Sequence, residues 1–309
     1  MIVVCGEALM DVFGSGDTPS GMALDARVGG SPFNVALGLA RMAQPVSLLA
    51  SLSRDFLGER LMRALHDEGV DTSTVSRVDA PTTLGLVGMD AQGVPSYAFY
   101  GHGGADRQLG VAALDRLPAG LTALHLGSFS TVVEPIASTL RALVQRTPAS
   151  TLISYDPNVR LHIEPNLAHW RLLLDWMLSR SQLLKISDED LGLLRPGETV
   201  EQFCEQALRQ GVKLVVVTRG QSGAMGRSAA SAAVYVPPVV VQTIDTVGAG
   251  DTFQAALMTW LAEHNGLNAD ALGQLDEASL RDALAFSARA AAITCSRRGA
   301  DLPRRSELD

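Results

Sequence analysis

Short runs rich in Val, Ile and Leu recur along the chain, at residues 2–5, 46–50, 123–126, 152–155, 183–186 and 214–217, and none of them alternates apolar with polar positions. A strand with one wet face reads as alternation, whereas a strand covered on both faces reads as a continuous apolar run. Most of these runs are followed by stretches with helical periodicity, which implies right-handed βαβ crossovers and a mostly parallel sheet with helices on both sides. The expected core is therefore three-layer α/β/α. With 309 residues, 47% hydrophobic and 19% charged, the chain has the material for it and lies far from the composition of disordered sequences. Length alone allows one large domain with an appendage or two ordinary domains.

One region breaks the rhythm. Residues 82–89 and 96–100 are strand-like and are joined by Asp90-Ala91-Gln92-Gly93, a turn composition. Consecutive antiparallel strands do not belong inside a doubly wound sheet, so this hairpin is placed outside it, with part of 12–30, as a small β lid. The Ala/Ser-rich segment 228–234 and the polar tail 297–309 are expected on the surface.

Several classes are excluded by charge or spacing. The net charge is −8, from 25 Lys and Arg against 33 Asp and Glu, so no nucleic-acid partner is expected. Three cysteines without a C-x-x-C pair suggest neither a disulfide framework nor a Cys-rich zinc site, and are read as small buried apolar residues. The N-terminus lacks a basic segment before its apolar run and meets an acid at Glu7, unlike a signal peptide. No stretch approaches the ~18 consecutive apolar residues of a membrane span, so a soluble cytoplasmic chain is expected. The P-loop, H-E-x-x-H, G-x-S-x-G and G-x-G-x-x-G motifs are absent, and the six histidines show no metal-ligand spacing.

Two helix starts stand out. At Ser31-Pro32 the Ser is expected to cap and the Pro to fill the first turn. The second follows Gly248-Ala249-Gly250-Asp251 and continues with Phe253, Ala256, Leu257, Trp260 and Leu261 as an apolar stripe. Successive small residues before a helix expose peptide N–H groups, and the helix dipole adds partial positive charge, which together make an anion cradle. Taken alone, Asp251 is an ordinary first-turn acid that stabilises its helix by about 0.3–1 kcal/mol. In the functional reading the cradle holds a transferring γ-phosphoryl group and Asp251 accepts the proton of an attacking hydroxyl. The helix terminus lowers the carboxylate pKa, yet a weak base suffices where the proton leaves late from a loose transition state.

The order of motifs resembles the ribokinase-like carbohydrate kinases of the phosphofructokinase B type. Asp245 to Asp251 matches that family's D-T-x-G-A-G-D signature at every fixed position, and Gly29-Gly30-Ser31-Pro32-Phe33-Asn34-Val35-Ala36 matches its N-terminal counterpart. Gly6 to Asp11, Asp156 to Arg160, Thr218 to Ala224 and Arg297 to Ala300 follow in the family's order across nearly the whole chain. The resemblance implies a single kinase domain over 1–309, with a lid from about 12–30 and 82–105. It implies Asp251 as catalytic base and Gly248, Ala249 and Gly250 as anion hole. Asp11, Gly29, Gly30 and Asn34 would hold sugar hydroxyls, and Arg160 would face the substrate or the transferring phosphate. Lys185, Thr218, Gly220 and Gly223 would form the nucleotide edge for ATP.

The chain departs from many relatives where they carry Asn and, three residues on, Glu to organise Mg²⁺ through water. Here Ser187 and Asp190 stand at those positions, with Glu189 adjacent. Asp245 and the carbonyl of Val247 match a monovalent-cation loop, for K⁺, in some relatives. Residues 97–107 look like the lid of bacterial fructokinases, with Phe99 covering one sugar face. The nearest competitor, 2-keto-3-deoxygluconate kinase, needs a cationic clamp for a carboxylate. No Arg stands beside the aromatics of 99–102, leaving Arg160 and the more distant Arg107. The expectation is ATP- and Mg²⁺-dependent phosphorylation of D-fructose at its 6-hydroxyl. Ribokinase or nucleoside kinase activity and a catalytically silent sugar or nucleotide sensor are the alternatives. The lid's strand edges suit a homodimer.

Overall fold

The computed structural model describes residues 1–89 and 95–309, so the expected turn at 90–93 lies outside the described residues. Among those residues the main sheet has the order β14-β13-β12-β11-β10-β9-β1-β4. Its parallel part consists of β4 (Val46–Leu49), β1 (Ile2–Cys5), β9 (Ala123–Gly127), β10 (Leu152–Asp156), β11 (Leu183–Ser187) and β12 (Leu214–Thr218). These are the apolar runs of the sequence to within one residue at either end. β13 (Ala224–Ser228) and β14 (Val234–Val236) extend the sheet antiparallel.

Each parallel strand feeds two cores, which is why its sequence does not alternate. In β1, Ile2 and Val4 pack with α1 (Ser31–Arg41), α2 (Phe56–Asp67), α7 (Ala249–Glu263), α8 (Ala269–Gly273) and α9 (Glu277–Cys295). Val3 and Cys5 face the opposite layer, with α3 (Ile136–Arg146), α4 (Leu167–Leu178), α5 (Asp188–Leu194) and α6 (Val200–Gln210). The fold is the expected three-layer α/β/α arrangement with a mostly parallel sheet.

A separate four-stranded sheet has the order β3-β2-β7-β8. β2 (Leu9–Thr18) pairs antiparallel with β3 (Gly21–Gly29) and parallel with β7 (Leu84–Met89), and β7 pairs antiparallel with β8 (Pro95–Tyr100). The β2-β3 pair occupies the connection between β1 and α1, so it grows from the carboxyl end of the parallel strands, the edge where open α/β sheets bind ligands. β5 (Ser51–Ser53) and β6 (Ser76–Val78) form a short parallel pair.

Four local expectations are corrected. Ser31 does not cap α1: the N-cap is Gly30, with no side-chain cap, and the Ser31 hydroxyl is used elsewhere. α7 is buried on all sides along 251–261 rather than on one stripe, because α1 and α9 flank it above the sheet. Cys295 is only half-buried, while Cys5 and Cys204 are buried as expected. The segments assigned to the surface also contribute to the core: Ser228 and Val234 are each 1% exposed, and the Ser228 hydroxyl donates to the Leu275 carbonyl at 2.7 Å. In the tail, Leu302 is 1% exposed. It fits against α1 where Gly38 has no side chain, since a Cβ on Gly38 would lie 2.5 Å from Leu302 Cδ2.

Leu302 therefore tests the packing of the tail. Leu302→Ala should lower stability by about 2–5 kcal/mol, the range for truncating a buried leucine, whereas a surface leucine would change it by less than about 0.5 kcal/mol. Chemical denaturation of the two proteins measures the difference.

Candidate active site

A cleft of about 1060 Å³ lies between the small sheet and the carboxyl edge of the main sheet. Of the residues singled out in the sequence, Asp11, Gly30, Asn34, Phe99, Arg160, Asp245, Val247, Gly248, Gly250 and Asp251 line it. Gly29, Ala249, Lys185, Asp190, Glu189, Thr218, Gly220 and Gly223 do not.

Asp251 stands in the first turn of α7, behind Gly248, which caps the helix at φ 79°. That left-handed conformation favours glycine, and a Cβ there would also lie 2.5 Å from the Ala300 Cβ. The first turn of α1 meets that of α7. The Ser31 hydroxyl donates to Asp251 Oδ1 at 2.6 Å, and Asn34 Nδ2 donates to Oδ2 at 2.8 Å. Both oxygens are thus fixed and the carboxylate is 7% exposed. Burial raises the Asp251 pKa, against the pull of the Ser31 and Asn34 hydrogen bonds and of the Arg160 and Lys185 charges. The helix terminus was expected to lower it; in the structure desolvation is the largest influence and the pKa is raised.

Asp11 lies on β2 between two glycines on neighbouring strands. A Cβ on Gly29 would stand 2.2 Å from Asp11 Oδ2, and one on Gly85 3.1 Å from Oδ1. Gly29 does not line the cleft; it makes the space that the carboxylate occupies. Burial pushes the Asp11 pKa up to about 6, with Arg160 opposing and Asp251 reinforcing the shift. Arg160 itself donates to the Val159 carbonyl at 3.0 Å and is held beside the cleft by its own loop.

Phe99, on β8, packs edge-on against Phe129 at 5.5 Å and against His162 at 6.2 Å. The Arg107 guanidinium lies 5.7 Å from the Phe99 ring centre. The sequence argument that no arginine accompanies this aromatic is therefore wrong in space: the Gly-rich return at 101–104 folds Arg107 back onto it.

Below the cleft floor, Lys185 is 3% exposed and pairs with Asp156 Oδ2 at 2.6 Å. Lys185 shares the face of β11 that packs toward α7, and its ammonium lies 3.6 Å from where a Cβ on Gly250 would be. It stands behind the small-residue turn rather than on an open nucleotide edge. Asp190 is buried next to this pair and its pKa is pushed up to about 6, first by burial and then by Asp156. Glu189 is exposed on α5 and stands apart from this group. Among the described residues no cluster of three or more His, Cys, Asp or Glu could hold a metal ion by itself. Thr218 ends β12, and Gly220 and Gly223 follow it with φ 49° and 84°. A Cβ on Gly223 would lie 2.1 Å from the Val236 carbonyl.

Asp245 organises its own loop. Oδ1 accepts from the Val247 amide at 3.0 Å, and Oδ2 accepts from the Gly299 amide at 2.8 Å.

Several residues of the cleft were not singled out as site residues. Ser31 belonged to the quoted motif but was assigned to capping. Glu7 lines the cleft at 1% exposure with Oε2 unpartnered. Burial raises its pKa to about 7, against the hydroxyls of Ser128 and Ser130. Asp106, outside the cleft lining, is equally buried, is bonded by the Thr83 hydroxyl and is raised to about 6. Arg27 and Arg298 also line the cleft. Only the position of Glu7 next to the glycine turn at the end of β1 could have marked it in the sequence.

The sequence and architecture have counterparts among known proteins. The model of the pfkB family carbohydrate kinases matches residues 1–307. A fructokinase of Rhizobium leguminosarum bv. trifolii is 35% identical over 282 residues, 91% of this chain and 86% of the relative. Fructokinase-1 of Oryza sativa subsp. japonica is 32% identical over 312 residues, 97% and 93% of the two chains. The crystal structure of a fructokinase from Xylella fastidiosa with bound ATP superimposes with a TM-score of 0.87 at 27% identity, over 99% of this chain and 96% of that one. With its parallel sheet, its glycine-capped helix and these relatives, the chain belongs to the pfkB family of carbohydrate kinases and is an ATP-dependent sugar kinase.

Proposed function

We propose that this kinase transfers the γ-phosphoryl group of MgATP to the 6-hydroxyl of D-fructose and that Asp251 takes the proton. The observation that carries the reading is the Asp251 carboxylate, buried at the start of a glycine-capped helix with both oxygens oriented by Ser31 and Asn34. In the reaction the sugar O–H bond breaks toward Asp251 and the oxygen bonds to the γ-phosphorus. The bond from that phosphorus to the β–γ bridging oxygen breaks, and ADP leaves with the electron pair. The backbone N–H groups of Gly248 and Gly250 stabilise the charge on the transferring group, whereas that of Ala249, expected to join them, donates to the Thr246 carbonyl at 3.2 Å. Arg160 at the cleft adds positive charge beside the transferring group, while Lys185 beneath Gly250 is already paired with Asp156.

Asp11 accepts from sugar hydroxyls, and Gly30 lets the ring approach the backbone. Asn34 offers its carbonyl oxygen, its amide being engaged by Asp251. Phe99 covers one sugar face, and the small sheet acts as a lid that excludes water. Thr218, Gly220 and Gly223 take the nucleotide at the end of β12. Asp190 and Asp156 offer the hard oxygen donors that hydrated Mg²⁺ prefers, and Asp156 Oδ1 has no hydrogen-bond partner. We assign that role to Asp190 rather than to the exposed Glu189. Magnesium bound with ATP supplies neutralising charge on the phosphates.

The case for a neutral sugar rests on the acids of the cleft. Asp11, Glu7 and Asp251 all line it, and they favour hydroxyl donors over a carboxylate. The names of the relatives support the same choice.

An ADP-release assay across fructose, 2-keto-3-deoxygluconate, ribose, glucose and adenosine tests the substrate. Fructose should give the highest kcat/KM. Preference for 2-keto-3-deoxygluconate would overturn the assignment and point to Arg107 or Arg160 as a carboxylate clamp. Sugar binding without turnover of any compound would favour a sensor. Asp251→Asn should lower kcat by about 10²–10⁴-fold, the range for a positioned base, with fructose affinity by calorimetry retained.

The base also fixes a pH dependence. Asp251 works unprotonated and its pKa is raised, so kcat/KM should fall on the acid side at a pH above the ordinary carboxylate range. Ser31→Ala removes a hydrogen bond that lowers this pKa, so the acid limb of the kcat/KM profile should move to higher pH. An unmoved limb would assign it to another group.

A further inference from the structure

Arg27, on β3, is not used by the chemistry above, yet it joins the small sheet to the loop behind the anion turn. Its Nη1 donates to the Arg298 carbonyl at 2.7 Å, while Nε and Nη2 hold Asp25 Oδ2 at 2.9 and 2.7 Å. A Cβ on Gly299 would lie 2.7 Å from Arg27 Nη1, so a glycine there lets the guanidinium reach the backbone. The amide of Gly299 then donates to Asp245 Oδ2 at 2.8 Å, and Asp245 Oδ1 accepts from Val247 at 3.0 Å. Ala300 packs against Gly248 at the head of α7. The 298–300 segment is thus gripped by the small sheet on one side and by the turn that carries Asp251 on the other. In the β2-β3 register Arg27 stands opposite Asp11, so one cross-strand pair bears both the sugar-facing carboxylate and this contact.

We infer that Arg27 is a positioning residue: through the 298–300 segment it couples the seating of the small sheet over the sugar to the order of the 245–251 anion turn. The inference rests on the kinase reading of the cleft. Its physical basis is a continuous path of charge-assisted and backbone hydrogen bonds, at distances typical of strong ones, between two parts of the site that must act together. The contact is partly exposed, with the Arg27 side chain 30% accessible, so its effect is on coupling rather than on global stability.

Arg27→Met keeps an aliphatic stem near Phe13, whose ring centre is 6.0 Å from the guanidinium carbon, and deletes every donor. Arg27→Lys retains one cationic group that can serve Asp25 or the Arg298 carbonyl but not both. Amide hydrogen exchange of peptides spanning 244–252 and 296–302 is measured on the substrate-free protein, alongside kcat and KM for sugar and ATP. In Arg27→Met, exchange in both peptides should rise and kcat should fall, each by about tenfold, within the range of known coupling changes, with sugar KM held near wild type. Arg27→Lys should be intermediate. Faster exchange confined to 21–29, with the two peptides unchanged, would overturn the inference and leave Arg27 as a brace of its own strand; so would an unchanged kcat. The exchange result does not depend on which sugar is phosphorylated, so a kinase that rejects fructose would overturn the substrate assignment and leave this test standing.

Discussion

The close approach of α1 and α7 is the constraint on which the site depends. Gly38 makes it possible: a Cβ there would stand 2.8 Å from the Ala255 Cβ, so a larger residue would push the helices apart. Because they are close, their first turns converge, and Ser31 and Asn34 of one reach both oxygens of Asp251 on the other. The orientation of the Asp251 carboxylate is thus a consequence of helix packing. The same convergence places two helix N-termini at one point, which concentrates partial positive charge beside the Asp251 carboxylate.

The layered fold was legible because strands covered on both faces leave an unmistakable apolar run, and the small sheet was legible because its hairpin could not fit among parallel crossovers. The burial of the tail was not. Leu302 sits in a polar sequence with no period of its own, and its pocket is made by the absence of a side chain at Gly38, far away in the chain. Ser228 was hidden in the same way: an Ala/Ser-rich segment reads as surface until the Leu275 carbonyl that its hydroxyl satisfies is brought beside it.

At the site, Asp251 and its small-residue turn could be identified from adjacent residues, since an anion cradle is local. What escaped depends on distance in space. Arg107 is eight positions from Phe99 in sequence, and only the folded return puts its guanidinium over the ring. Lys185 was expected at the nucleotide edge from the family resemblance; the central position of β11 buries it, and Asp156 on the adjacent strand neutralises it. Asp245, expected from the resemblance as a cation ligand, has a structural part that the sequence did not show: its oxygens accept amides of its own loop and of the C-terminal segment. That is the physical reason the terminal Arg-Arg-Gly-Ala accompanies a signature some fifty residues earlier.

The buried carboxyls set function against stability. Glu7, Asp11, Asp106 and Asp190 are raised to between about 6 and about 7, chiefly by desolvation. A carboxyl with a raised pKa binds more protons in the folded than in the unfolded state between its two pKa values. Its contribution to stability is therefore present below the unfolded value and is lost as the pH rises through the folded one, over roughly pH 4 to 7. At neutral pH the protein holds Asp11, Asp106 and Asp190 largely ionised, and Glu7 partly so, in a dry setting, at the expense of its own stability. A polyhydroxylated ligand bringing donors to Asp11 would relieve that strain, so part of the selectivity for hydroxyl donors is already built into the cleft wall.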